Sequence, residues 1–276
     1  MVNVLEPGMK PGWSLSQKPQ NGEMRIELEL DVYEDSKGPV ILDSEVTNAI
    51  EALKVGKVIG PHGIPAEFWK VLGAKGTKEL VELCKEMYVK GKWPSDFTRV
   101  MMIRLQKKMN AVECSDHQAI SLISHASKLK FLTDRIEAKA RDFIGQIQFG
   151  FRKGCGTRDS IGVMRMICER SLEFGNNVYI CFVHFEKAFD RVNWEKMMKV
   201  LQSIGVDWRD RRMISELYMN QDAVLRIAGG ESDSGIIGRG VRQGCPLSPL
   251  LFSIYAEMMM KEALENAEEG LRVGVS

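Results

Sequence analysis

The sequence has 276 residues and a mass of 31.1 kDa, with 44% apolar and 27% charged side chains, which leaves room for one large domain or two modest ones. A net charge of +1 and a pI near 7.6 exclude any argument from overall field for or against nucleic acid. The six cysteines form no C-x-x-C pair and the four histidines are not spaced beside them, which excludes a legible zinc site. With no signal peptide and no bilayer-length apolar run, the chain reads as reduced, soluble and intracellular, nucleus or cytoplasm undecided.

Residues 1–38 are rich in proline and glycine and read as loop, with one strand at 24–32. From Asp43 a helical stripe begins (Val46, Ala49, Ile50, Leu53), with Asp43 or Ser44 as its N-cap. A second helix starts at Thr77, buries Leu80, Leu83, Cys84 and Met87, and stops at Gly91 and Pro94. Residues 100–105 and 119–124 read as strands. A helix over 127–143 turns Leu129, Leu132, Ile136 and Ala140 inward. "QFGFRKGCGTRD" is a glycine-punctuated loop, and the helix after it carries Ile161, Met164, Cys168 and Leu172.

In the second half, 178–183 is nearly all apolar, as a strand buried on both faces requires. Asn193 caps a helix with Trp194, Met197, Met198, Leu201 and Ile204 inward, ended by Gly205. A short helix covers 208–219. Residues 224–228 return through Gly229 and Gly230 to 236–238 as a hairpin, and a long helix runs over 248–268. "LRVGVS" reads as a strand just beginning. The order suits an α+β fold in which a split βαβ sheet is backed by helices. The basic cluster Arg99, Arg104, Lys107 and Lys108, the cluster Arg152, Lys153 and Arg158, and the acidic run 257–269 read as solvated faces.

Five ordered blocks then carry a resemblance: "GPHGIPAEFWK", "HQAISLISHASKL", "QFGFRKGCGTRD", "VYICFVHFEKAFDRV" and "GRGVRQGCPLSPLLFSIYAE". Together they resemble the fingers and palm of reverse transcriptases from non-LTR retrotransposons, from about residue 40 onward. The resemblance implies a partial right-hand polymerase: a loop-rich segment at 1–38, a helical fingers-like region at 39–175 and an incomplete split-βαβ palm at 176–276. The family copies an RNA template from a DNA primer by two-metal phosphoryl transfer, with Mg²⁺ held by hard oxygen ligands.

In the family pattern F-x-D-x-x-K-A-F-D, the metal aspartate aligns with His184, and Phe185 follows it. Imidazole suits Zn²⁺ or Cu²⁺ far better than Mg²⁺. Two further metal aspartates belong to a Tyr-Ala-Asp-Asp hairpin, before which this sequence stops, so the expectation is that no metal is bound. Gln118 and Ala119 stand where the family has the arginine and proline of R-P-I-S-L; a neutral amide replaces a charged fork. The family's G-P-D-G-I-P becomes Gly60-Pro61-His62-Gly63.

The resemblance assigns the surviving scaffold to nucleotide and template contact. Phe189 stands at the deoxyribose-stacking position, Gln243 and Gly244 allow close approach to the template–nucleotide pair, and Lys107, Lys108, Arg152 and Lys153 face phosphates. The bland readings stand beside these. His184 would be a buried neutral histidine, Asp190 a residue favouring the positive end of the next helix, and Phe189 core. Lys107 and Lys108 would be a solvated loop, Cys155 and Cys245 small packed residues, and Met258, Met259 and Met260 core filler. The expected function is a reverse transcriptase domain of retrotransposon origin that has lost catalysis; the alternative is a non-catalytic RNA or RNA/DNA-hybrid binding module.

Overall fold

The helical stripes of the first half fold as amphipathic helices in a computed structural model that describes residues 37–57, 63–107, 109–110, 116–122, 130–219, 221–227 and 230–265. Helix α1 (Asp43–Glu51) buries Val46, Ala49 and Ile50. It starts one residue earlier than expected: Leu42 is the cap, because the Glu45 carboxylate turns back to accept from the Leu42 N–H at 2.8 Å. A short α2 (Ala66–Lys70) precedes α3 (Gly73–Lys90), which ends at Gly91 with φ 62°. Helix α3 buries Leu80, Val81, Cys84, Met87 and Tyr88, whereas Leu83, expected inside, is exposed. At 100° per residue, a stripe centred on Cys84 leaves Leu83 on its flank.

After α4 (Ser95–Thr98), β1 (Val100–Gln106) pairs antiparallel with β2 (His117–Leu122), which begins two residues before the expected 119. Helices α5 (Phe131–Ala140), α6 (Thr157–Phe174), α7 (Trp194–Ser203) and α8 (Trp208–Met219) follow. Asn193 caps α7 as expected, its side-chain oxygen accepting from the Lys196 N–H at 2.9 Å. Strand β3 (Asp222–Ile227) lies parallel to β1 in the register Val100 to Ala223, and the short β4 (Gly230–Glu231) and β5 (Gly235–Ile236) return antiparallel on it. The sheet order is β2-β1-β3-β4, with β5 also on β3, so the sheet is mixed. Helix α9 (Ser248–Leu264) closes the described chain.

The expected strand at 24–32, Gly60, Pro61, His62, Lys108, Leu129, the end of the 119–124 strand, Ala228 and Gly229 of the hairpin, the end of the 248–268 helix and "LRVGVS" lie outside the described residues.

Two cores organise the helices. One gathers Ile136 and Ala140 of α5 with the inner faces of α7, α8 and α9. The other joins α1, α3 and the start of α5, with Met213 reaching in from α8. A buried polar tether crosses the second core. Arg135 grips Glu45 through Nε and a terminal nitrogen (2.6 and 2.7 Å) and donates to the Tyr88 hydroxyl (2.9 Å), which donates to Asp210 (2.7 Å). One guanidinium thereby ties α1, α3 and α5 to α8.

The expected buried strand does not form. Residues 178–183 are not a strand: the backbone has no ladder partner among the described residues, and Tyr179 and Phe182 are 92% and 85% exposed. An apolar run becomes a buried strand only where a neighbouring strand takes its N–H and C=O groups, and this one keeps them at the surface. Helix α6 forms, but none of its residues is buried, so its stripe is present without a surface to cover it. Of the methionine run, Met258 and Met259 pack on the first core and Met260 is exposed.

Candidate functional site

One cavity of about 310 Å³ opens where the end of β2 meets the segment 186–191 and the loop 237–243; Ser121, Lys187, Asp190, Arg239 and Gln243 line it. Two local features build it. Lys187 adopts a left-handed conformation (φ 51°, ψ 45°) that opens a 3₁₀ turn over Ala188–Arg191. The loop then lies directly against that turn: the Val241 N–H donates to the Phe189 carbonyl (2.8 Å) and the Gly240 N–H to the Val192 carbonyl (2.9 Å), while the Trp194 indole N–H donates to the Gly240 carbonyl (2.8 Å).

Glycine is needed at two places here. A Cβ on Gly240 (φ 90°) would meet the Asp190 and Phe189 backbone at 2.9 Å, and one on Gly244 (φ 109°) would meet the Ser121 carbonyl oxygen at 2.7 Å. The same approach lets the Ser121 N–H donate to the Gln243 carbonyl at 2.9 Å, docking the loop on β2. Behind it sits Arg242, whose guanidinium donates to Gln221 Oε1 (2.9 Å) and to the Leu217, Phe97 and Thr98 carbonyls (2.6, 3.2 and 3.3 Å), and lies 5.8 Å over the Tyr218 ring.

The polar residues singled out in the sequence converge in part. Gln118 Nε2 donates to Gln243 Oε1 at 2.8 Å, and Gln243 Nε2 donates to Asp190 Oδ1 at 3.4 Å. Asp190 therefore faces the cavity rather than the start of α7, where Asn193 does the capping. Asp190 is exposed as a residue, yet desolvation around its carboxyl raises it above its ordinary 3.8, against the Gln243 hydrogen bond and the nearby charges of Lys187, Lys107 and Arg239. Lys107 is thereby placed beside the site. Arg152 and Lys153 are exposed on the preceding loop, where Arg152 donates to the Gly145 and Gln146 carbonyls (3.2 and 3.3 Å).

Phe189 is half-buried, stacked on Phe252 (centroids 4.9 Å, 16°) and met edge-on by Phe151 (5.8 Å, 77°). Phe151 thus brings the glycine-rich loop to the site, a contact no local pattern announces. Phe185 and His184 are exposed, the latter correcting the reading of a buried histidine: with 178–183 at the surface, the imidazole goes with it. Cys245 is buried and Cys155 half-buried. Lys187, Arg239 and Asp190 were not among the expected binding residues, although Lys187 and Asp190 stand inside the "EKAFD" block.

The residues present do not fit a pair of magnesium ions. Mg²⁺ requires oxygen donors, and the two carboxylates lining the cavity already have protein partners: Glu186 pairs with Arg191 at 3.2 Å, and Asp190 accepts from Gln243 at 3.4 Å. Among the described residues, no three His, Cys, Asp or Glu side chains cluster as ligands would. No described helix is long and apolar enough to cross a membrane.

Similarity to known proteins accords with the five ordered blocks. The profile of the family described as "Reverse transcriptase (RNA-dependent DNA polymerase)" matches residues 105–274. The chain is 27% identical over 225 residues to the "Transposon TX1 uncharacterized 149 kDa protein" of Xenopus laevis, covering 79% of this chain and 17% of that protein. It is 24% identical over 238 residues to the "RNA-directed DNA polymerase from mobile element jockey" of Drosophila funebris (84% and 26%). It is also 24% identical over 175 residues to the Pol polyprotein of the type-1 retrotransposable element R2 of Popillia japonica (62% and 24%). The chain therefore spans about a quarter or less of the length of these relatives.

Proposed function

The chain belongs to the reverse transcriptase (RNA-dependent DNA polymerase) family, with relatives among non-LTR retrotransposon proteins, and from that premise we propose that it is a retrotransposon-derived polymerase domain that does not extend primers. The observation that carries the reading is His184 at the metal-aspartate position of "VHFEKAFD". Two-metal phosphoryl transfer stabilises the attacking and leaving oxygens with cations held by carboxylates, and an exposed imidazole offers neither the charge nor the hard donor. Gln118 at the position of the family's arginine adds to this, because a neutral amide cannot fork onto a triphosphate. Helical fingers and a palm are the anatomy this reading assigns to 39–175 and 176–276.

Primer extension on an RNA template with Mg²⁺ or Mn²⁺ tests it. The expected result is no templated product; product above background overturns it.

A second reading is favoured by the basic side chains near the site: non-catalytic binding of RNA or an RNA/DNA hybrid through Lys107, Arg152 and Lys153, with single nucleotides entering the cavity beside Asp190 and Gln243. Three phosphate contacts would make log K fall with log salt at a slope of about −2 to −3. A flat salt dependence rejects this reading.

A further inference from the structure

The cavity holds a carboxyl to which neither reading assigns a role. Asp190 lies on the 3₁₀ turn Ala188–Arg191 and faces the side-chain amide of Gln243, while Gln118 on β2 faces the other end of that same amide. Three elements far apart in sequence thus meet through one glutamine. The terminal torsion of a glutamine is broad, so packing alone does not choose between its two amide orientations. The neighbours do choose. With Oε1 toward Gln118 Nε2 and Nε2 toward Asp190, both contacts join a donor to an acceptor. Reversing Gln243 would set NH₂ against NH₂ and oxygen against carboxylate, and Gln118 alone cannot correct both.

We propose that Asp190 is a positioning residue: its carboxylate, with Gln118 at the opposite end, locks the Gln243 amide into one orientation and so presents one N–H to a nucleotide in the cavity. The backbone supports the arrangement independently. The Phe189–Val241 and Val192–Gly240 hydrogen bonds hold the turn against the loop, and the Ser121–Gln243 hydrogen bond holds the loop against β2. The spacing between Asp190 and Gln243 is therefore set by main-chain contacts, not by side-chain reach. The charges facing Asp190 are Lys187 at the start of its own turn, Arg239 from the loop and Lys107 just past β1; the Glu186–Arg191 pair lines the same cavity. These cations favour the charged carboxylate, and the amide chain gives it a partner of defined direction.

The role in nucleotide presentation rests on the binding reading above, and the experiment separates the two. The first arm needs no ligand. The Gln243 side-chain amide is followed by ¹⁵N NMR across pH, its resonances identified by their loss in Gln243→Met. In the unmodified chain they should shift with a midpoint above 3.8, the ordinary aspartate value. In Asp190→Asn the titration should vanish while the amide stays near its high-pH position, since the Asn oxygen still accepts. A Gln243 amide that does not titrate, or that titrates equally in Asp190→Asn, overturns the proposal.

The second arm titrates a fluorescent 2′-deoxynucleoside triphosphate. Asp190→Ala should weaken binding about 3- to 10-fold, the worth of one lost hydrogen bond, while Asp190→Asn should bind as the unmodified chain does. Equal losses in Asn and Ala would mean that the negative charge itself is what matters, and would also overturn the positioning role. If the unmodified chain binds no probe, the nucleotide reading and the presenting role fall, and the NMR titration alone decides whether the amide chain exists.

Discussion

Arg242 is a buried cation, 4% exposed, whose hydrogen-bond acceptors are all uncharged: Gln221 Oε1 and the carbonyls of Leu217, Phe97 and Thr98. Burial lowers its pKa from the ordinary arginine value, so the fold bears a desolvation cost to keep it there. In return, its planar fork joins the end of α8, the entry to β1 and the side chain just before β3. Arg242→Ala removes four hydrogen bonds and the packing against Tyr218. Acceptors left buried without a donor cost about 1–3 kcal/mol each, and relief of the buried charge offsets part of that sum. The net loss should be about 3–5 kcal/mol. Arg242→Lys keeps the charge but supplies one point of donation instead of a fork, and should lose about 2 kcal/mol. Urea unfolding followed by circular dichroism measures both variants, with the m-value checked for constancy. An alanine variant within about 1 kcal/mol of the unmodified chain would show that the charge costs as much as its hydrogen bonds return, which would refute the claim that Arg242 stabilises the fold.

Three other outcomes follow from the same structure. Gly244→Ala combines a left-handed φ with a Cβ 2.7 Å from the Ser121 carbonyl, so it should cost at least about 1–2 kcal/mol in thermal or urea unfolding and detach the loop from β2, read as loss of amide exchange protection at Ser121. At Glu45, burial raises the pKa but the Arg135 and Leu42 hydrogen bonds outweigh it, leaving a value below the ordinary 4.5. A depressed folded-state value contributes stability above the unfolded-state value that is lost as pH falls through the folded one, so acid should destabilise the chain below about pH 4.5; Arg135→Met should flatten that dependence, and an unchanged acid limb would refute the assignment. Tyr179→Lys with Phe182→Lys should shift unfolding by less than about 0.5 kcal/mol, because both side chains stand in water; a large loss would mean that 178–183 is packed after all.

Much was decided locally. The α1 and α5 stripes, the Asn193 cap, the glycine stop at Gly91 and the order of the five blocks depend on periodicity, cap chemistry and motif, each written within a few residues. The resemblance that sets His184 against the family's aspartate and Gln118 against its arginine is likewise drawn without coordinates.

Other features needed the folded chain, because they depend on what lies opposite. Whether 178–183 becomes a buried strand is a question of pairing, and β1 takes β3 as its parallel neighbour, more than a hundred residues further along the chain. The stripe on α6 predicts a helix but not a surface to bury it. Asp190 reads as a helix-end acid until the loop carrying Gln243 is laid beside it by Gly240 and Gly244. Intrachain periodicity specifies elements because its contacts lie within a turn or two; strand partners and polar relays are specified by long-range hydrogen bonds, which only the tertiary arrangement supplies.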